Sequence, residues 1–303
     1  MHRFAAGLIG AAMAAGAGPV LAHTPYLLPN AFDAERDHVT LTGALTEDDY
    51  FTPDIALKVS AYIETLPDGR QTQVAPAAAL KDETVAEADL PVAGTYRFST
   101  GLLVGRRMKM AQVGGRWLMV RAAPQATSGE ARAPESGRSA PAPGRDGATH
   151  THGGGDGASS MSPDQIPPDA KIVETEGVLT AETFVSHGAP TQTALKTSGQ
   201  GLELKPLTHP NAIYVDQGFE FQLLIDGKPV AAAPVTVYRA GDLYDERKIT
   251  QSLATDAAGK AKASFERPGV YLLTAHYPIG PRRPDDAPPP RNYTYSLTFE
   301  VTR

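Results

Sequence analysis

Histidines are the side chains of this sequence most able to bind a ligand or do chemistry. The 303 residues include eight histidines and no cysteine, and His23 is the most informative histidine. It follows an apolar segment that ends at Ala22. Cleavage after Ala22 would give His23 a free α-amine beside its imidazole, and these two nitrogens can chelate one metal ion once both are deprotonated. Such nitrogen ligands favour Cu(II) or Ni(II) over Mg²⁺ or Ca²⁺.

Another histidine would have to supply the remaining ligand. His276 and His209 are the first candidates, and His187 is the next. His276 ends an alternating run on the face opposite its core residues. His150 and His152 lie in a Gly-rich tract, a composition that predicts a flexible metal-capturing arm. The alternative for each of these histidines is an ordinary turn, surface or low-complexity position.

Sequence patterns typical of enzymes are missing. The chain has no Gly-x-Ser-x-Gly elbow, no His-Glu-x-x-His helix and no phosphate-binding glycine loop. The acidic pair Asp285 and Asp286 lies among prolines, which favours a solvated loop over an acid–base pair. We therefore expect a protein that is not an enzyme, with no catalytic residues.

Residues 1–22 have the three regions of a secretory signal peptide. A basic start is followed by an apolar stretch that ends in small residues. The stretch is weaker and shorter than the roughly 20 apolar residues that a membrane span needs. We expect cleavage, a periplasmic protein and no membrane insertion afterwards; an uncleaved anchor is the alternative. The net charge of −6 argues against nucleic acid as a partner.

Strand patterns dominate the rest of the chain. Period-two alternation marks residues 38–42, 56–63, 219–225 and 293–301, and no long helical pattern occurs. Residues 123–169 differ, because they consist mainly of Ala, Pro, Gly, Ser and scattered charges. Such a segment buries too little apolar surface to offset its chain entropy, so we expect it to be disordered.

A weak internal repeat suggests two similar domains. Residues 91–98 and 268–273 each contain a Pro/Gly turn followed by a tyrosine that opens an alternating strand. Immunoglobulin-like sandwiches place a tyrosine at such a corner. We predict an all-β protein with a signal peptide at 1–22 and two β-sandwich domains at 23–198 and 199–303. The disordered segment would be a long loop within the first domain.

Four stretches of the sequence together resemble one known family. They are Ala22–Pro29, Thr183–Thr191, Gly201–Asn211 and the run from Asp226 to Tyr271 with its Asp-Gly, Thr-Asp-Ala-Ala-Gly and Pro-Gly-Val-Tyr motifs. They resemble a bacterial periplasmic family of unknown function that is linked to nickel and cobalt uptake. The resemblance implies an immunoglobulin-like first domain, a carboxypeptidase-regulatory-like second domain and a role in handling transition metals. Tyr26 stands where that family more often has Trp or Phe.

Three functions from different classes follow from these observations. The first is a periplasmic protein that binds nickel, cobalt or copper and assists its uptake, with a metal-uptake transporter or outer-membrane receptor as partner. The second is a non-catalytic β-sandwich interaction module of the cell envelope, which would not need His23. The third is a copper-dependent mono-oxygenase-like enzyme that starts with histidine. That enzyme would need a flat aromatic binding face, which a chain with Trp117 as its one tryptophan supports poorly.

Overall fold

The structure is a computed structural model of the chain, and the residues that it describes are 23–46, 51–121, 160–241, 249–278 and 286–303. Their regular secondary structure is strand apart from two short 3-10 helices, Pro163–Gln165 and Thr193–Leu195. The all-β prediction is therefore confirmed. No helix in these ranges is long and apolar enough to cross a membrane. The predicted signal peptide lies outside the described residues.

Twenty-two strands follow one another along the described chain. The first eleven are β1 (Thr24–Pro29), β2 (Asp33–Ala34), β3 (His38–Thr46), β4 (Ile55–Ala56), β5 (Tyr62–Thr65), β6 (Gln71–Val74), β7 (Ala78–Ala79), β8 (Thr84–Asp89), β9 (Gly94–Ser99), β10 (Leu103–Val104) and β11 (Met108–Val113). The others are β12 (Arg116–Val120), β13 (Ser160–Met161), β14 (Ile172–His187), β15 (Leu202–Pro206), β16 (Phe219–Ile225), β17 (Lys228–Pro229), β18 (Pro234–Arg239), β19 (Ile249–Ala254), β20 (Lys260–Ala263), β21 (Gly269–Tyr277) and β22 (Arg291–Val301).

The chain divides into two compact units. The larger one comprises the described residues within Met1–Arg107, Glu176–Arg282 and Pro289–Arg303, and the smaller one those within Met108–Thr175 and Arg283–Pro288. The larger unit holds two sandwich cores. The predicted domain boundary between residues 198 and 199 separates most of the residues of these two cores and stays a prediction.

The first core is enclosed by strands from the N-terminal half of the larger unit. On one side, β3 pairs with β1 and β8; on the other, β9 pairs with β5 and β14. Alternate residues of these strands point inward, as period-two patterning requires. The core includes Leu27, Leu41, Tyr62, Phe98 and Val185.

The second core lies in the C-terminal half of the larger unit. One sheet is formed by β15, β16, β17 and β20. The facing strands β18, β21 and β22 are paired side by side. The core includes Phe184, Phe219, Tyr271, Leu297 and Phe299. Together the two cores confirm the predicted β-sandwich architecture.

Both predicted tyrosine corners are present. Tyr96 donates a hydrogen bond to the carbonyl of Val92 at 2.7 Å and accepts one from the Val92 amide at 3.0 Å. Tyr271 donates to the carbonyl of Arg267 at 2.7 Å. Each hydroxyl thus returns to the backbone four residues upstream, the arrangement of immunoglobulin-like corners. The sequence repeat therefore corresponds to a structural repeat.

The smaller unit is a small sheet. Its strand β11 pairs with β12 and with Ile172–Thr175 at the start of β14, and β12 pairs with β13. The prediction that residues 123–169 are all disordered is wrong at its C-terminal end. Residues 160–169 contain β13, whose Ser160 and Met161 pair with β12, and the 3-10 helix Pro163–Gln165. The rest of the predicted loop, up to residue 159, lies outside the described residues.

Candidate functional site

His23 lies half-buried immediately before β1. The strand that follows it is firmly held, because β1 pairs with β3 along its whole length. Ser296 on β22 also donates a hydrogen bond to the carbonyl of Pro25 at 2.5 Å. Tyr26 is buried in a small apolar cluster that includes Leu272. The polypeptide next to His23 is therefore fixed on two sides.

His276 lies near the end of β21, opposite Thr294 of β22. Its Nδ1 is 3.1 Å from the Thr294 hydroxyl. The side chain is on the strand face that also carries Leu272, opposite the core residue Tyr271, as the alternation predicted. His276 is exposed by its surface area, but desolvation of its ring lowers its pKa. The lowered pKa favours the neutral ring, which can offer Nε2 to a ligand.

His209 has a structural role. Its Nε2 donates to the carbonyl of Thr191 at 3.0 Å and lies 3.1 Å from the Thr95 hydroxyl. Its Nδ1 accepts a hydrogen bond from the Asn211 amide at 3.1 Å. Burial lowers the pKa of His209, and the bond to Thr191 opposes that shift only in part. Because both ring nitrogens are engaged, a metal could be bound only by breaking this network.

Asn211 explains the distinctive Leu-Thr-His-Pro-Asn stretch. Its side-chain amide donates to the carbonyls of Phe32 and Phe184, both at 3.0 Å. Its amide oxygen accepts a hydrogen bond from the Ser186 hydroxyl at 3.0 Å. The stretch therefore fastens its loop to β14 and to the segment before β2.

The remaining predicted ligands are His187, which a backbone carbonyl engages, and two histidines outside the described residues. His187, half-buried at the end of β14, places Nδ1 2.9 Å from the carbonyl of Leu90. His150 and His152 lie outside the described residues. Across the residues that the structure describes, no group of three or more His, Asp or Glu side chains is placed to hold a metal ion. Among these residues, the His, Asp and Glu side chains therefore form no such site by themselves. A site at His23 would also need the α-amine that cleavage provides.

A buried ionic cluster, the Arg97 cluster, is the feature that sequence analysis missed. Its members are Arg97, Ser99, Glu182, Glu203 and Tyr295. The guanidinium pairs with Glu182, and its distance to Glu203 is 3.9 Å. Glu182 also accepts hydrogen bonds from Ser99 at 3.0 Å and from Tyr295 at 2.8 Å. Burial raises the pKa of Tyr295 well above its usual value, so its hydroxyl stays protonated and donates.

Backbone groups complete the Arg97 cluster. Glu203 accepts hydrogen bonds from the amides of Ser198 and Gly199 at 2.6 and 2.7 Å. Arg97 donates to the carbonyl of Lys196 at 2.9 Å. Burial alone would lower the pKa of Arg97, but the attraction of Glu182 and its neighbours outweighs it and raises the pKa. Each charged group of the cluster therefore has hydrogen-bond partners that hold it in place.

A cavity of about 580 Å³ opens beside the Arg97 cluster. Four members of the cluster, all except Tyr295, line it, and its walls also include Ile63, Thr65, Gln71, Thr193 and Gln200. The sequence offered no signal for this arrangement. Arg97 and Glu182 lie on the strand face opposite the first core, where Arg97 contacts Lys196 and Glu203, and Glu182 contacts Tyr295. Alternation alone does not show that this face is covered.

The fold defines the class of this protein, which is an all-β chain with two immunoglobulin-like sandwich cores. The model of the family described as "Domain of unknown function (DUF4198)" matches residues 20–279. The chain therefore belongs to the DUF4198 family. A comparison with curated proteins finds no match.

Solved structures show only distant likenesses. The D0-D1 domain of intimin is 12% identical, with 90% of this chain and 96% of that chain covered and a TM-score of 0.20. The D00-D0 domain of intimin is 9% identical, with 92% and 100% covered and a TM-score of 0.21. Escherichia coli alpha-2-macroglobulin activated by porcine elastase is 11% identical, with 93% and 31% covered and a TM-score of 0.20.

Proposed function

We propose that this DUF4198 protein is an exported transition-metal-binding protein of the periplasm. Its metal site is formed by the α-amine and imidazole of His23 after cleavage, together with the imidazole of His276. The nitrogen ligands suit Cu(II), Ni(II) or Co(II). The loaded protein would assist uptake by passing its metal to a transporter or outer-membrane receptor.

The order of contacts along β1 is the observation that carries this proposal. Tyr26 packs at Leu272, and the residue before it bonds to Ser296. Ser296 pairs with Thr274, which lies halfway between Leu272 and His276 on β21. Following the chain from Tyr26 back to His23 therefore leads from Leu272 toward His276. His276 uses only Nδ1 in its hydrogen bond to a neighbouring strand, which leaves Nε2 for a metal.

Two versions of the purified mature protein test the site directly. One begins at His23, and the other carries one extra alanine before His23. The extra residue removes the α-amine from the chelate ring and keeps the imidazole, so we expect it to weaken Ni(II) and Cu(II) binding by more than about tenfold in calorimetric titration. His276→Ala should weaken binding as well.

His38→Ala is the matched control, because the His38 ring lies 3.3 Å from the exposed Asp37 and belongs to no proposed site. Affinity should fall as the pH is lowered, because protons compete with the metal for the imidazole and amine nitrogens. Equal affinity of the two N-terminal versions would overturn the proposed site. Intact-mass measurement on periplasmic extract, with a chain starting at His23 expected, tests export separately.

A further inference from the structure

Methionine is concentrated in the smaller unit. The chain has six methionines, and the four that follow the predicted signal peptide are Met108, Met110, Met119 and Met161. All four lie on β11, β12 and β13. The two larger sandwich cores, by contrast, contain no methionine among their described residues. This distribution places the softest ligand atoms of the mature chain in one small sheet.

Three of these methionines share one face of that sheet. Met110 of β11 lies directly opposite Met119 of β12. Cβ atoms in such a cross-strand pair are typically about 5 Å apart. Met108 lies two residues before Met110 and therefore on the same face. Met161 pairs with Val120 and belongs to the opposite face.

The face is accessible enough for a small ion. Met108 and Met119 are half-buried, and Met110 is 8% exposed. The exposed Arg121 places Nε 3.1 Å from the sulfur of Met119. Trp117, the one tryptophan of the chain, lies two residues from Met119 on this same face. A bound metal would therefore lie close to an intrinsic fluorophore.

We propose that Met108, Met110 and Met119 form a thioether site for Cu(I), separate from the nitrogen site proposed at His23. Thioether sulfur is a soft ligand that selects Cu(I) over borderline and hard divalent ions. The unbranched methionine side chain is flexible, so sulfurs on neighbouring and diagonal positions can converge on one ion. The ion is bound without a change of oxidation state, and no proton is released because thioethers carry none.

Titration with Ag(I), a redox-inert soft cation, tests the site in the full mature chain. The experiment is done at pH 5, because protons compete with metal for nitrogen ligands as the pH is lowered, whereas thioethers carry no proton. We expect saturable one-to-one binding with a change in the fluorescence of Trp117. The double variant Met110→Leu/Met119→Leu keeps the packing volume and should lower Ag(I) affinity by more than about tenfold.

Met161→Leu is the matched control, since it removes a thioether from the other face. It should bind Ag(I) like the unmodified chain. Arg121→Gln should strengthen binding, because it removes a positive charge from the vicinity of the Met119 sulfur. Cu(I), added under anaerobic conditions, should compete with Ag(I) for the same site.

Unchanged Ag(I) affinity in the double variant would overturn the proposal, as would an equal loss in Met161→Leu. The first result would assign the methionine face to apolar contacts, for example with another protein. Neither result bears on the site at His23, because that site is tested with Ni(II) and Cu(II) at neutral pH.

Discussion

Arg97 supplies the positive charge of the Arg97 cluster, which contains two buried carboxylates. One guanidinium faces the two carboxylates of Glu182 and Glu203, whose side chains are 2% and 5% exposed. The excess negative charge is tolerated because Tyr295 and backbone amides donate to these carboxylates. A buried ion pair often adds little net stability, but removal of one partner leaves a charge unpaired.

Arg97→Met should therefore destabilise the protein strongly. It leaves Glu182 and Glu203 without their cation, and the expected loss is about 3–5 kcal/mol of unfolding free energy. Urea unfolding followed by circular dichroism measures it. Arg70→Met, in the exposed pair of Arg70 with Asp68, is the control and should unfold like the unmodified protein. A similar small effect at both positions would contradict the account of the Arg97 cluster.

At the scale of elements, the tyrosine corners lie at the start of two core strands, β9 and β21. Tyr96 and Tyr271 are fully or nearly fully buried, yet each hydroxyl finds a backbone carbonyl in its own turn. The ring packs in the core, while the hydroxyl donates a hydrogen bond to a backbone carbonyl of the turn. The corner thus couples a turn to a strand within each sandwich.

Tyr96→Phe and Tyr271→Phe test this coupling because they keep the ring and remove the hydroxyl. Each substitution leaves a backbone group without its partner, which should cost about 1–3 kcal/mol of unfolding free energy. Tyr214→Phe, at a residue that is 36% exposed, is the control and should change little. If chemical denaturation gives the same stability for all three variants, the corners are not stabilising.

At the scale of the larger unit, β14 connects the two sandwich cores. Phe184 packs in the second core, whereas its neighbour Val185 packs in the first. Residues Glu176–Thr183 of β14 also pair in parallel with Arg291–Thr298 of β22. One strand therefore supplies packing to both cores and backbone hydrogen bonds to the last strand of the chain.

We expect the larger unit to unfold in one cooperative transition. Loss of either core removes partners of β14, so the other core is destabilised at once. Circular dichroism and tyrosine fluorescence should give coincident denaturation curves. A fragment comprising residues 23–198 lacks β22 and should fail to fold. Two separated transitions, or a stable fragment, would show instead that the predicted boundary at residue 199 divides independent domains.

The sequence by itself determined the all-β class, the two sandwiches and the tyrosine corners. These properties follow from local rules: period-two alternation, turn residues and a tyrosine at a fixed distance from a Pro/Gly turn. The face on which His276 lies was predictable for the same reason. The chelating chemistry expected of His23 also depends only on its place after Ala22, and it stays a prediction.

Only the tertiary structure decided which strands are neighbours. Arg97 and Glu182 are 85 residues apart, and Glu182 and Tyr295 are 113 apart. Alternation predicts that such side chains point away from the core on one side of the sheet, but it does not show whether another element covers them. His209, predicted as a ligand, has Nε2 engaged partly for the same reason, since one of its partners, Thr95, lies 114 residues away in sequence. Contacts of this range depend on strand pairing and core packing, which local sequence patterns do not specify.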